Sequence, residues 1–295
     1  MTNAMICAVL VNFNGVNDTI ECVQSLLKCS YKQLHIIIVD NGSDYGKISY
    51  SDLIPSNRYE IIYTGENLGF AGANNIGIRR GIEIGADYFL ILNNDTIVDK
   101  DFLNPLLNVI SKDASIGIAT GKIYYYDDPN YLWFGGSHYD SNLLECKIDG
   151  IGKKDNIHYS QAKELPFATG CFWLMPRKTI TVVGYISEYY FLYYEDADYC
   201  ERVKKAGLKI WYEPASIIYH KESRSTKKGS KAYKYYTLRN YLLFLRKYNN
   251  KKKILLPQVK RMVLSIKDII RGRSYISAEY KAWRDYFLSK TGKME

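Results

Sequence analysis

Asp40 and Asp95 each follow a short, unbroken apolar run, a position from which a carboxylate can hold a cation or a polar ligand. Ile36 to Val39 leads into Asp40-Asn41-Gly42-Ser43, and Phe89 to Leu92 leads into Asn93-Asn94-Asp95. A third run, Ile6 to Val11, ends in Asn12-Phe13-Asn14. Buried parallel strands read as short continuous apolar runs. Open α/β sheets collect ligands at the carboxyl ends of such strands. Three polar clusters at three strand ends therefore predict one nucleotide and metal site, with Asp40 and Asp95 as its carboxylates. Asn and Asp also favour turns for purely local reasons. The coincidence of three such ends, with Asn12 beside the two acids, favours a ligand.

Further along, Glu195-Asp196-Ala197-Asp198 follows a solid aromatic run from Tyr189 to Tyr194. Acids at a helix start usually complement its dipole, and Asp198 is read that way. Glu195 and Asp196 sit beside an aromatic wall able to exclude water. Two adjacent carboxylates in different surroundings can separate in pKa and leave one as a base. His220 ends a strand in a Tyr-His-Lys step. A lone histidine is more often structural than a ligand, yet a neutral imidazole binds transition metals well. Arg239-Asn240, in a tyrosine-rich helix, offers a phosphate contact as against a solvated arginine.

The elements that must position these residues alternate. Strand 5–12 precedes helix 16–29. Strand 34–40 enters a loop. Strand 59–64 passes through Asn67-Leu68-Gly69-Phe70 to a helix near 72–85. Strand 87–93, a helix near 101–111 and a strand near 116–120 follow. This is the βαβα order of an α/β fold with a mostly parallel sheet and helices on both faces. The turn-rich aromatic segment around Trp133-Phe134-Gly135-Gly136 predicts irregular strands over the sheet's open edge. Helix 196–206, closed by Gly207, leads to strands 208–212 and 216–219. A basic loop, Lys221 to Lys231, separates the tail. There Leu255, Val259, Met262, Ile266 and Ile269 step by four and three along one helix face. The expected organisation is a catalytic domain over 1–225 and a basic helical region over 226–295.

Charge divides along the same line. Residues 221–295 hold 21 lysines and arginines against 5 acids, while the first 220 residues hold 19 against 26. A basic tail on an acidic body points to a polyanionic partner. No apolar run reaches the roughly 18 to 20 residues that span a bilayer. The short first run reads as a strand and not as a signal peptide. A cytoplasmic protein, peripheral on the inner face of the cell membrane, is the expectation. The six scattered cysteines form no CxxC pair and read as reduced, buried small hydrophobes.

Together VNFNG, VDNGSD, NLGFAGANNIGI, LILNNDT, ATGCFWLM and YYEDADYCERVKKAG resemble the family 2 glycosyltransferases of GT-A fold, most closely the rhamnosyltransferase-like members. Tyr-Tyr-Thr-Leu-Arg-Asn at 235–240 looks like the Arg-Asn helix of that subgroup, and the likeness spans roughly residues 5 to 245. It implies an inverting, metal-dependent transfer from a nucleotide-diphosphate sugar. On that likeness Asp40 would read the base, with Asn12 and Asn67 beside it. Gly69, Asn94, Gly170 and Arg239 would join the nucleotide-sugar contacts. Asp95 and His220 would hold Mn²⁺ or Mg²⁺, and Asp196 would be the catalytic base with Glu195 next to it. The first acid of the family's DxD motif is Asn93 here. Metal affinity is therefore expected to be modest until the donor diphosphate supplies oxygens.

dTDP-rhamnose is the favoured donor and a UDP-hexose the second. The acceptor is expected to be a polyprenyl-diphosphate-linked glycan at an anionic membrane surface, with no nucleic acid partner. A sugar nucleotidyltransferase would want a glycine-rich phosphate loop after the first strand, and an NAD enzyme would need GxGxxG there; neither is present. A processive synthase would bring QxxRW and transmembrane helices. A non-catalytic membrane or nucleic-acid binder would explain the tail but not the polar strand ends.

Overall fold

The computed structural model describes residues 4–222, 229–272 and 274–294. The basic loop predicted at Lys221 to Lys231 falls largely on 223–228, outside the described residues. Four parallel strands carry the first half: β1 (Ile6–Asn12), β2 (Leu34–Asp40), β3 (Tyr59–Tyr63) and β4 (Tyr88–Asn93). β1 lies between β2 and β4, and β3 lies outside β2. The register sets Asn12 opposite Asp40 and Val11 opposite Asn93. The polar strand ends are thus flush along one edge of the sheet, because the apolar runs before them pair in step.

Helices cover both faces. α1 (Val16–Lys28) meets the face on which the Asn12 side chain reaches Thr19. α2 (Gly69–Glu83) lies against the opposite face, carrying Cys7 and Val9. Its approach depends on Gly77, where a Cβ would stand 2.3 Å from Val9 Cγ1. α2 starts three residues earlier than its sequence pattern predicts. Phe70 N–H, one of the orphan donors of the first turn, bonds Phe191 O at 3.1 Å from outside the helix.

After the short β5 (Thr96–Val98) and α3 (Leu103–Lys112), β6 (Ile116–Tyr125) continues the sheet with β7 (Tyr131–Phe134) beside it. The segment around Trp133 is therefore a short strand of the main sheet, and its register with β6 shifts between Ile123 and Tyr124, an irregularity in line with the sequence reading. β8 (Ser137–Asp140) and β9 (Glu145–Ile148) form a separate hairpin. β10 (Lys153–Lys154) and β11 (Lys163–Glu164) are two-residue edge strands. β12 (Phe172–Pro176) runs antiparallel between β4 and β6. After α4 (Arg177–Val183) and α5 (Glu195–Lys205), the two strands expected at 208–212 and 216–219 are one, β13 (Lys209–His220). Its register with β6 shifts between Glu213 and Ile217. Pro214, which has no N–H to give a ladder, sits in that irregularity.

The tail folds as α6 (Lys231–Tyr248), α7 (Lys251–Ile270) and α8 (Ile276–Phe287). Tyr235, Leu238, Leu242 and Leu245 of α6 share a core with Ala282 and Tyr286 of α8, and this core takes in Tyr190 of the body. Gly207 (φ +75°) follows α5 in the left-handed conformation of a C-terminal cap. All six cysteines are free. Burial pushes the Cys22 thiol up to about 12, so it behaves as an inert hydrophobe.

Candidate active site

At the end of β1, the Asn12 amide nitrogen donates to Asp40 Oδ2 at 2.7 Å and to Gly46 O at 3.0 Å. Its oxygen accepts from Thr19 Oγ1 at 2.9 Å. Asp40, almost wholly buried, also accepts from the backbone N–H of Ser43 (3.1 Å) and of Ile48 (3.1 Å). These bonds curl the chain after β2 around the Asp40 carboxylate. The neighbouring Asn41 ties in the second loop. Its amide nitrogen reaches Asn67 Oδ1 and Gly69 O, both at 3.2 Å, and its oxygen accepts from Leu68 N–H at 2.9 Å. Asn67 Oδ1 accepts from Gly69 N–H as well. Gly69 has φ +74°, and a Cβ there would stand 2.2 Å from Phe191 O. Only glycine lets this loop press on the aromatic run. The structure thus joins Asn12, Asp40, Asn67 and Gly69 in one network. It adds Asn41, whose place directly after Asp40 was its only signal in the sequence.

Past the end of β4, Asn94 Nδ2 donates to Thr19 Oγ1 at 2.8 Å, so it adjoins the Asn12 network. Asp95 is buried, and its Oδ1 lies 3.1 Å from His220 Nε2. β13 pairs with β5 so that His220 stands opposite Thr96, one residue from Asp95. The structure therefore brings together the carboxylate and imidazole that the sequence separates by 125 positions. His220 Nδ1 is buried with no hydrogen-bond partner among the described residues. The Trp133 ring meets the imidazole edge-on, with centroids 4.4 Å apart. Nothing in the turn-rich run around Trp133 indicated that contact.

A hydrogen-bond path leads from this strand end to the acid pair. Asn93 N–H donates to Cys171 O at 3.0 Å, and Gly170 N–H donates to Asp196 Oδ2 at 3.2 Å. Asp196 Oδ1 accepts from Ala197 N–H at 2.8 Å. The two acids differ sharply in setting. Glu195 is buried, and its Oε2 finds no partner among the described residues. Burial, with the Asp196 and Asp198 charges added, holds its carboxyl well above the ordinary range. Asp196 is only half-buried. Burial raises its pKa, while the N–H groups of Gly170 and Ala197 oppose that rise by bonding the carboxylate form. The pair thus offers a Glu195 whose surroundings favour its neutral form and a half-buried Asp196 whose carboxylate form is hydrogen-bonded.

One expectation fails against the structure, and another holds but is incomplete: Asp198 does lie in the first turn of α5. Arg239 is no phosphate contact, and no solvated arginine either. It is fully buried, donating to Asn240 Oδ1 (3.0 Å), Tyr235 OH (3.0 Å) and Gly292 O (2.8 Å). Its guanidinium lies 5.0 and 5.3 Å from the Tyr235 and Tyr236 ring centroids. The tyrosines and Gly292, which is bridged to Tyr190, enclose it, and its own helix could not reveal that. Asp198 does more than complement a dipole. Wholly buried, it accepts from Arg202 Nε (3.0 Å), Tyr248 OH (2.9 Å) and Lys247 Nζ, fastening α5 to the end of α6.

The family model for glycosyl transferase family 2 matches residues 7–183. The chain belongs to glycosyl transferase family 2. This glycosyltransferase is 25% identical over 258 residues to the dTDP-rhamnosyl transferase RfbF of Shigella flexneri, covering 83% of this chain and 81% of that one. It is 23% identical over 210 residues to the low-salt glycan biosynthesis hexosyltransferase Agl10 of Haloferax volcanii, covering 68% and 62%. Its fold matches a crystal structure of GalNAc-T7 with UDP, GalNAc and Mn²⁺ (TM-score 0.68, 15% identity, 96% of this chain and 54% of that one). It also matches the mannosyltransferase PcManGT of Pyrobaculum calidifontis in complex with GDP-Man and Mn²⁺ (TM-score 0.57, 12% identity, 97% and 87%). The fold of the glycosyltransferase is accordingly GT-A, with C-terminal helices added.

Proposed function

We propose that this glycosyltransferase moves a sugar, with inversion, from a nucleotide diphosphate to a hydroxyl of a glycan. dTDP-rhamnose is the favoured donor and a UDP-hexose the second. The half-buried Asp196, held by two backbone N–H groups beside a buried Glu195, carries this reading. It supplies one base, and a single displacement needs no second carboxylate as nucleophile. The likeness to RfbF over 83% of the chain supports the choice of rhamnose. Asn12, Asp40, Asn67, Gly69 and Asn94 would line the nucleotide side, and Gly170 would lie under the sugar.

Asp95 and His220 fit a divalent ion. Their facing atoms are 3.1 Å apart, close to the roughly 3 Å between neighbouring ligands of an octahedral ion with bonds of about 2.1 Å. One oxygen and one nitrogen suit Mn²⁺, with Mg²⁺ second. When bound, such an ion neutralises charge on the leaving diphosphate. The chain's part is to present Asp95 from the turn after β4 and His220 from the end of β13, with Trp133 packed edge-on against the imidazole. His220→Ala should weaken the Mn²⁺ dependence of activity more than it weakens nucleotide binding. An unchanged Mn²⁺ titration would return His220 to a structural role. Thermal shift against a panel of nucleotide sugars, with and without Mn²⁺, tests the donor assignment through stabilisation by mass action. If no nucleotide sugar stabilises the protein, the proposal falls.

The same proposal places the enzyme at the inner face of the cell membrane, on a polyprenyl-diphosphate-linked acceptor. α7 packs on the protein through Ile254, Pro257 and Ser265. Leu255, Val259, Met262, Val263, Ile266 and Ile270 are all exposed, from 45% for Met262 to 79% for Ile270. At 100° per residue they fall within about a third of the helix circumference. Exposed lysines at 251, 252, 253 and 267 accompany this apolar face. An apolar face with basic flanks suits a helix lying in an anionic interface. Each basic residue there contributes on the order of 1 kcal/mol. Sedimentation with anionic liposomes should show binding that falls with salt and vanishes on truncation after Asn249. If the full chain ignores such liposomes and self-associates instead, the face belongs to a second copy and the membrane assignment is wrong.

A further inference from the structure

Two consecutive non-glycine residues immediately before the acid pair are left-handed, Tyr193 at φ +69° and Tyr194 at φ +74°. Such residues are uncommon, and the conformation persists only where the surroundings over-determine it. Here the constraint comes from the C-terminal helices. Asn240, fully buried on α6, donates its amide nitrogen to Leu192 O at 2.8 Å and to Tyr193 O at 2.9 Å. Its amide oxygen accepts from Arg239 Nε, and Arg239 is itself fixed by Tyr235 OH and Gly292 O. The amide is thereby held in one orientation, with both donors directed at the turn. α5 begins directly after this turn, and its first backbone bond runs from Asp198 N–H to Tyr194 O at 2.9 Å. The conformation at 193 and 194 therefore sets where α5 starts and how Asp196 meets Gly170 N–H.

We infer that Asn240 is a positioning residue: it clamps the left-handed turn at 192–194 and so aims the Asp196 carboxylate. This rests on the proposed role of Asp196 as base. It also gives the buried Arg239 a function, that of orienting the clamp instead of touching phosphate. The C-terminal helices would then contribute to the chemical step, beyond any part in localisation.

The test is a set of Asn240 variants assayed for kcat, donor KM, the pH profile of kcat and thermal stability. Asn240→Ala removes both donors. Asn240→Asp removes them but keeps an acceptor for Arg239, so α6 stays anchored if the alanine variant folds poorly. A misplacement of about 1 Å at a reacting group can cost about 10²-fold in rate. Both variants should lose roughly 10- to 100-fold in kcat while donor KM stays within about twofold. The acid limb of the profile should move to higher pH, because a carboxylate that loses the Gly170 bond titrates higher. Among the described residues Glu195, Cys146 and Cys200 interact electrostatically with Asp196, and Asp198 acts on the neighbouring Glu195. None of them carries a carbonyl that Asn240 holds. Tyr193→Gly, which adopts a positive φ without strain, should reduce the cost of Asn240→Ala in a double-mutant cycle.

Wild-type kcat and an unmoved acid limb in both Asn240 variants, in an enzyme that Asp196→Asn inactivates, would overturn this inference alone. Parallel loss of donor binding and kcat would also overturn it, making Asn240 a general prop of the fold. Continued transfer by Asp196→Asn would overturn the base assignment and this inference with it.

Discussion

Asp196→Asn is expected to keep donor binding and lose transfer by about 10²- to 10⁴-fold, the usual worth of a general base. The variant retains an oxygen for Gly170 N–H or Ala197 N–H, so geometry is little disturbed and the missing quantity is basicity. Glu195→Gln is expected to cost far less. Burial and the neighbouring Asp196 and Asp198 charges already favour the neutral Glu195, and an amide imitates a neutral carboxylic acid. The pH dependence follows from the same two environments. Burial raises the Asp196 pKa, so the base is protonated as pH falls through a value above that of an ordinary aspartate. Activity should therefore drop on an acid limb displaced upward from about 3.9. Single-turnover transfer across pH, alongside donor titrations, measures both effects. If Glu195→Gln is the inactive variant and Asp196→Asn is tolerated, the base is Glu195.

Asp95→Ala should abolish metal-stimulated turnover. An ion held on a leaving diphosphate supplies several kcal/mol of charge stabilisation, equivalent to about 10³-fold or more in rate. Asp95 is the acid of the Asn93-Asn94-Asp95 end and faces His220 Nε2. Its loss leaves one nitrogen ligand from that pair. Donor affinity measured with and without Mn²⁺ should become equal in the variant. The fold should persist, because β4 and its buried neighbours in the sheet are untouched. Full Mn²⁺ stimulation in a folded Asp95→Ala protein would remove Asp95 from the metal site.

The sequence by itself determined the parallel strands and their polar ends. An unbroken apolar run is a local property, and parallel strands that pair in step bring their ends to one edge wherever the helices pack. That is why Asn12, Asp40 and Asp95 could be grouped from the sequence, and why Glu195-Asp196 could be marked by the aromatic run before it. Even β13 was visible in outline, although Pro214 made one strand read as two. Only the tertiary structure decided what Arg239, Asn240 and Asp198 touch. An arginine's role depends on what encloses it, and the groups that enclose Arg239 include Gly292, 53 positions away. Asp198 likewise meets Lys247, 49 positions away. The tail's apolar stripe shows the same division. Its period was legible as a helix face, but whether that face packs on the body or stands in solvent depends on which side of α7 the rest of the chain covers. The side it covers is that of Ile254, Pro257 and Ser265.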